Sequence, residues 1–343
     1  MYRPTPVRAA ARGAALSPTS IKEPEGVAKD APLVHAIVVS WNGAHLLRDC
    51  LRALLLQEAP ARLHPVVVDN GSADGTTELL LREFPSVEHL RLETNLGYGR
   101  ANNQAMRRAL DAGADYVALI NNDVELEPGW LARLLEAARA QPQAGLFTGT
   151  LLLHGEEVVN STGLVVDGFG RVRDRDFRVP LRELSSQSGP VAGVSGAAAL
   201  LRAQMLREVG LFDPAYFAYY EDADLSLRAA EQGFSSWYVR EATARHRFGA
   251  SFGRGSAQQR YLLARGHLRT VGRHQPLLKA AALVAGTVAY RLAVKAPLAI
   301  LKAQPAIALA ELRGAGAGAL DALRALAPRI GRGTGNGKGK GKA

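Results

Sequence analysis

The chain has 343 residues, 47% hydrophobic and only 6% aromatic, enough for one large α/β domain with appendages or two small ones, and too apolar to be disordered throughout. Its net charge of +10 is uneven: from Arg254 to the end, sixteen Lys and Arg face only Glu311 and Asp321, a net of +14, leaving about −4 on residues 1–253. A basic end on a mildly acidic domain argues for an anionic surface met by one end and against a nucleic-acid-binding protein, since Tyr261 and Tyr290 are the tail's only interleaved aromatics.

Residues 1–30 hold Arg3, Arg8 and Arg12 but no apolar run long enough for a signal-peptide core, so they read as a disordered leader. Leu33–Ser40 is a strand, and Leu46, Leu47, Cys50, Leu51, Leu54 and Leu55 recur at helical spacing over His45–Gln57. Cys50 is the lone cysteine; it reads as a small buried apolar residue and permits no intrachain disulfide, which fits a reducing cytoplasm. Strands follow at Pro65–Asp69, Val87–Leu92 and Tyr116–Ile120, with helices at Thr76–Phe84, Gly99–Ala112 and Pro128–Ala140, the last with proline at its first position. This alternation predicts a mostly parallel sheet with helices on both faces. Further on, Val158–Val172 reads as a glycine-turned hairpin, Gln187–Leu201 as a strand region, and Gln204–Glu208 and Ala223–Gln232 as helices.

Beyond residue 275 no stretch reaches ~18 uninterrupted apolar residues, the length a membrane span requires. Leu277–Leu301 comes nearest, broken by Lys279, Arg291, Lys295 and Pro297. The region 276–330 is read as three short amphipathic helices, Leu277–Lys295, Pro297–Arg313 and Ala319–Leu326, suited to lying in an anionic membrane interface or to packing on the domain before them. Residues 331–343 form a Gly/Lys tail too glycine-rich to bury anything.

In parallel sheets, ligands bind beyond the carboxyl ends of the strands. Three polar clusters fall there: Ser40-Trp41-Asn42, Asp69-Asn70-Gly71-Ser72 and Asn121-Asn122-Asp123. A carboxylate at a strand end can accept from a nucleobase N–H, though Asp69 equally fits an ordinary turn. Asn95-Leu96-Gly97-Tyr98-Gly99-Arg100 contains only half of a dinucleotide fingerprint. Asp123 ends an apolar strand that has no structural need of an acid, and a hard cation on a diphosphate needs only one or two protein carboxylates. Glu221, Asp222 and Asp224 crowd together beside four aromatics, which raises carboxylate pKa values and suits a general base; the same acids could simply decorate a helix start. His246 becomes a candidate ligand only if it sits beside Asp123.

Taken together, these motifs resemble the inverting family-2 glycosyltransferases, and most closely their rhamnosyltransferase-like branch. The resemblance rests on Val39-Ser40-Trp41-Asn42-Gly43, Val68-Asp69-Asn70-Gly71-Ser72-Ala73-Asp74-Gly75-Thr76 and Asn95 through Asn103. It continues with Leu119 through Asp123, Ser195-Gly196-Ala197, Gly210 through Asp213, Tyr220 through Arg228 and His246. The set covers about residues 33–275 in the family's order. It implies a GT-A fold over 31–275 and transfer of a sugar, a deoxyhexose such as rhamnose, from a nucleoside-diphosphate donor to an acceptor hydroxyl of a glycan or lipid-linked glycan. It implies Asp69 at the nucleobase with Ser40, Asn42, Asn95, Gly97, Arg100 and Asn121 in the nucleotide site. Asp123 and His246 would hold a divalent metal (Mn or Mg), Asp222 would be the catalytic base and Glu221 would bind the acceptor. Asn121 stands where the family's DxD pattern begins with Asp, which touches the ribose contact. The implied setting is cytoplasmic, peripheral on the inner face of the membrane. The competing readings are a sugar nucleotidyltransferase, which would want a basic glycine-rich loop where Ser40-Trp41-Asn42-Gly43-Ala44-His45 stands, and a non-catalytic protein that binds an anionic surface.

Overall fold

The computed structural model describes residues 28–249 and 255–333. The first part winds β1 (Leu33–Ser40), α1 (Ala44–Leu55), β2 (Arg62–Asp69), α2 (Thr76–Glu83), β3 (Glu88–Arg91), α3 (Tyr98–Asp111) and β4 (Tyr116–Asn121). The four strands are parallel in the order β4-β1-β2-β3. β1 shows why this sheet carries helices on both faces: Val34, Ala36 and Val38 enter one apolar cluster, with α1 and α2, while Ile37 and Val39 enter another, with α3. A strand buried on both sides reads as a continuous apolar run with period two hidden inside it.

The chain then adds β5 (Val124–Leu126), α4 (Trp130–Ala140), β6 (Ala144–Leu153), β7 (Val159–Ser161), β8 (Leu164–Val166), β9 (Val172–Asp174), β10 (Gly189–Val191), β11 (Ala198–Arg202), α5 (Ala203–Val209), α6 (Glu221–Glu231) and β12 (Ser235–His246). β11 inserts antiparallel between β4 and β6, and β12 lies parallel to β6, completing a ten-stranded sheet. β8 and β9 form a separate two-stranded hairpin. The expected 158–172 hairpin is therefore shifted: β7 joins the main sheet through β6, and the turn falls at 167–171. Pro128 also lies outside α4, which starts after Gly129 in a left-handed conformation.

At the C-terminal end, α7 (Ala257–His274) leads into α8 (Leu277–Tyr290), a π-helical turn at Arg291–Lys295 and α9 (Ala296–Leu301), followed by α10 (Pro305–Gly333). The expected break at Pro297 does not occur. The π-helical turn lets the Ala296 N–H bond back to the Arg291 carbonyl, so the ladder adjusts just before the residue that has no N–H to give. Leu277–Leu301 is thus one 25-residue helix, long and apolar enough to cross a membrane by length and composition alone. Likewise Pro297–Arg313 and Ala319–Leu326 are not separate helices: the turn comes at 302–304, where Ala303 is left-handed, and α10 runs on unbroken. It lies along α7, tied to it by Arg265 Nε to Asp321 at 2.7 Å, and an Arg291–Glu311 pair ties it to the π-helical turn. The expected leader falls outside the described residues up to 27, and the expected tail beyond 333.

Candidate active site

β1, β2 and β4 end abreast, with Ser40 opposite Asp69 and Val39 opposite Asn121. Beyond the end of β4 lies a cleft of about 280 Å³, walled by Asn121 and Asp123, by Gly196 before β11, by Glu221 and Asp222 opening α6, by His246 ending β12 and by β9.

Asp123 and His246 are 123 residues apart in sequence, and the sheet brings them together. β5 pairs antiparallel with β12, setting His246 opposite Val124, and the Arg247 amide donates to the Asp123 carbonyl at 2.9 Å. Asp123 Oδ1 then faces His246 Nε2 at 3.2 Å, both side chains being buried. On the far side of the ring, Nδ1 is 2.6 Å from Asn160 Oδ1. An amide oxygen only accepts, so Nδ1 carries the proton and the Nε2 lone pair points at Asp123. A lone pair and a carboxylate oxygen repel unless a proton or a metal cation lies between them, and Asp123 Oδ1 has no hydrogen-bond partner. The pair therefore fits a divalent ion. Among the described residues no three His, Cys, Asp or Glu converge on a metal position, so such an ion would draw its remaining ligands from phosphate and water.

The three acids of α6 separate cleanly. Asp224 is fully buried and bonds Arg228 Nε at 2.8 Å and His274 Nε2 at 3.0 Å, with Arg273 at 3.4 Å. Burial works against its charge, but the His274 hydrogen bond and the Arg228 and Arg273 charges outweigh it and hold its carboxyl below the usual range. Glu221 and Asp222 face the cleft without a cation. Burial, then the charge of Asp222, pushes Glu221 up, and Glu221 Oε2 has no partner. Burial also raises Asp222, against the hydrogen bonds it accepts from Gly196 N–H (2.9 Å) and Ala223 N–H (2.7 Å). Both acids lie in the first turn of α6, whose preceding residues Tyr219 and Tyr220 are left-handed, with φ 67° and 73°. That bend tips the helix start into the cleft. An Asp held in this way, with a raised affinity for protons, can take one from a hydroxyl in the cleft.

The expected nucleotide residues form a tightly hydrogen-bonded rim outside this cleft. Asp69 is completely buried; its oxygens accept from the Ser72 amide at 2.8 Å, from the Thr77 hydroxyl at 3.0 Å and from Arg91. Burial opposes its charge, yet His89 (3.9 Å away, too far for a hydrogen bond) together with Ser72 and Thr77 holds its carboxyl well below the usual range. Asn42 accepts from Ala73 N–H at 2.8 Å, Asn95 from Gly97 N–H at 2.8 Å, and Ser40 from Asn122 at 3.0 Å. Gly97 has φ 82°, and a Cβ there would sit 2.3 Å from the Phe217 carbonyl, so only glycine lets the two loops meet. Arg100 is exposed and donates to the Pro214 carbonyl at 2.8 Å; it braces the 212–217 loop and does not line the cleft. Asn121, in contrast, does line it, and its Oδ1 is unpartnered.

Three residues in or behind the cleft were given no role by the sequence. Asn160 orients His246 from β7. Tyr98 donates its hydroxyl to the Gly196 carbonyl at 2.6 Å, pinning the residue whose amide holds Asp222. Asp174 on β9 is pushed up to about 6 by burial, with Asp222's charge adding to this and the Ser161 hydrogen bond and His246 opposing it. Asn160 and Asp174 come from segments without periodicity, of which only the run Val172-Arg173-Asp174-Arg175-Asp176 could have drawn notice, and Tyr98 stands in the 95–100 segment but meets its partner 98 residues away.

Residues 35–210 match the model of "Glycosyl transferase family 2". The N-acetylglucosaminyl-diphospho-decaprenol L-rhamnosyltransferase of Mycobacterium tuberculosis is 33% identical over 242 residues, 64% of this chain and 78% of that protein. The chain belongs to glycosyl transferase family 2. Among solved structures, this family-2 glycosyltransferase is similar to the mannosyltransferase PcManGT from Pyrobaculum calidifontis in complex with GDP-Man and Mn2+. That likeness has a TM-score of 0.53 at 21% identity and covers 88% of this chain and 91% of the other. It is also similar to GalNAc-T7 with UDP, GalNAc and Mn2+, with a TM-score of 0.57 at 14% identity, covering 72% of this chain and 48% of that one. These likenesses establish its GT-A fold, and the sequence relative makes it rhamnosyltransferase-like.

Proposed function

We propose that this family-2 glycosyltransferase moves a deoxyhexose such as rhamnose from a nucleoside-diphosphate donor to a hydroxyl of a lipid-linked glycan, with inversion, at the inner face of the cytoplasmic membrane. The observation that carries the reading is the sharing of one cleft by two unpaired acids at the start of α6 and by the Asp123–His246 pair. Asp222 is the base: its carboxylate is fixed by two amides and takes the proton as the acceptor oxygen attacks the anomeric carbon. Glu221, with its unpartnered oxygen, hydrogen-bonds the acceptor. Asp123 and His246 hold a divalent cation, which when bound neutralises charge on the diphosphate leaving group. Asn121 Oδ1, unpaired beside them, faces the donor. The rim of Ser40, Asn42, Asp69, Asn95 and Gly97 forms the nucleoside pocket, and Arg91 must yield part of its hold on Asp69 when a base enters.

Deoxyhexose transfer and a diphospholipid acceptor are supported by the activity named for the mycobacterial relative, and manganese by the ions named with the two solved structures. Membrane association is supported by Leu277–Leu301: only 17% of its apolar window is buried. Its other side packs on Val271 and Leu326 through Ala280, and on Ala308 through Ala296 and Ala299, so the helix lies along the domain. Such a helix sits in an interface rather than crossing it.

The test is nucleoside-diphosphate release over a panel of sugar nucleotides, with and without manganese, in the presence of a polyprenyl-diphosphate-linked acceptor. Manganese-dependent release from dTDP-rhamnose, with product of inverted anomeric configuration, is expected. Release that is indifferent to metal, or a retained configuration, would overturn the assignment.

A further inference from the structure

The β8–β9 hairpin carries three partly exposed apolar side chains: Val165 is 39% exposed, Val166 36% and Phe169 62%. Loop tips are ordinarily polar, so this cluster at a turn is unexpected. The turn itself is well built. Asp167 accepts from the amides of Phe169 (2.9 Å) and Arg171 (3.0 Å), and Gly170, left-handed at φ 70°, lies so close to Val271 of α7 that a Cβ would sit 2.8 Å from it. His267 of α7 bonds the Phe169 carbonyl at 3.1 Å. The tip is thus held rigidly outward by its own backbone and by α7.

The tip is also joined to the apolar C-terminal helix. The Arg171 guanidinium lies 5.6 Å from the Phe169 ring and 5.9 Å from the Tyr290 ring at the end of α8. Lys295 lies 5.9 Å from the same tyrosine ring. Rings and cations therefore alternate from the hairpin into a helix whose Leu292, Leu298, Ile300 and Leu301 are all more than 40% exposed. Residues 277–304 contain no acid and four cations, Lys279, Arg291, Lys295 and Lys302; the hairpin's Asp167 is neutralised by Arg173. Aromatic rings interleaved with cations and apolar tips match a headgroup layer of anionic lipid, where rings sit at the boundary and cations meet phosphate. The face carrying Leu164, Val172 and Asp174 turns inward and lines the cleft, with Val166 on that face nearest the turn, while Val165 and Arg173 occupy the opposite face.

We propose that the hairpin tip and the Tyr290–Leu301 face form one lipid-binding surface, which rests the mouth of the cleft on an anionic bilayer so that an acceptor carried in the membrane enters beneath β9. The inference rests on the membrane reading above and adds to it a specific second contact and an orientation. Tip and helix together fix the enzyme by two edges, where a helix alone would leave the cleft free to turn about its axis.

The test compares the full chain with Val165→Asp/Phe169→Asp and with Leu298→Asp/Ile300→Asp by flotation with vesicles of 7:3 phosphatidylethanolamine to phosphatidylglycerol at low salt. The substituted side chains are exposed, so the melting temperature should be unchanged. The hairpin variant should lose at least ~10-fold in partitioning, as expected for withdrawing two apolar side chains from lipid, and the helix variant should lose as much or more. Flotation of the hairpin variant equal to that of the full chain, with the helix variant defective, overturns the hairpin contact and leaves the membrane reading standing. Absence of flotation by the full chain overturns both. Vesicles of pure phosphatidylcholine provide the charge control, and equal binding to them would contradict the role given to Arg171 and Lys295.

Discussion

The rim of Ser40, Asn42, Asp69 and Asn95 and the cleft beside it are built from the same residue types with opposite states of satisfaction. At the rim, Asp69 and Asn95 each accept from two or more of the chain's own donors. In the cleft, Asn121 Oδ1, Asp123 Oδ1 and Glu221 Oε2 are buried without a partner. An orphaned buried oxygen costs roughly 1–3 kcal/mol, so the three oxygens clustered in one cleft carry a cost that a bound ligand would relieve. The saturated rim gives shape, and the unsaturated cleft gives chemistry. The contrast runs even within α6, where Asp224 is tied down by Arg228, Arg273 and His274 and Asp222, two residues earlier, by backbone amides alone.

The largest effect should come from the metal pair. Asp123→Ala and His246→Ala should each abolish manganese-dependent donor binding in calorimetry, while Asn160→Ala, which only frees the ring, should weaken it about 10- to 100-fold. If Asn160→Ala costs as much as His246→Ala, or neither costs anything, the pair does not share an ion.

How much of this contrast was legible in the sequence follows from distance along the chain. Ser40, Asp69 and Asp123 could be placed at strand ends because each strand announces itself locally by an apolar run, and parallel strands end on one side. That His246 meets Asp123 follows from the β5–β12 register, which no local pattern encodes. Asn160 and Tyr98 act through partners 86 and 98 residues away. Pro297 signals a helix break, and only the π-helical turn before it shows why the helix continues. Arg100 belongs to the nucleotide site that the resemblance implies, and its bond to a carbonyl of the 212–217 loop follows from no local pattern.

The pH dependence sharpens the same contrast. Asp222 is raised by burial, so the acid limb of kcat/KM should lie above the ordinary aspartate range near ~3.9. A carboxyl that titrates higher folded than unfolded binds its proton better in the native state. Its charge therefore opposes folding increasingly as pH rises from the unfolded value through the folded one. Asp222→Asn should accordingly melt higher than the parent at neutral pH and equally near pH 4. A lower melting temperature at neutral pH would show that Asp222 is a structural acid after all.

A smaller effect is expected at Tyr98. Tyr98→Phe removes one hydrogen bond to the Gly196 carbonyl, worth about 0.5–1.5 kcal/mol, and should lower kcat about 2- to 10-fold with unchanged donor affinity. A change confined to donor affinity would place the tyrosine at the rim, not behind the base.

The central claim is that acids paired with cations hold the fold and acids without one carry the reaction, and the most direct measurement sets Asp222→Asn beside Asp224→Asn. Turnover and melting temperature should be read on both. Asp222→Asn should keep or gain melting temperature and lose ~100-fold or more in turnover. Asp224→Asn should lose stability, by about 1.5–3 kcal/mol for hydrogen bonds to charged partners, while the protein that remains folded turns over within a few-fold of normal. A stable but inactive Asp224→Asn beside an active Asp222→Asn would contradict the account.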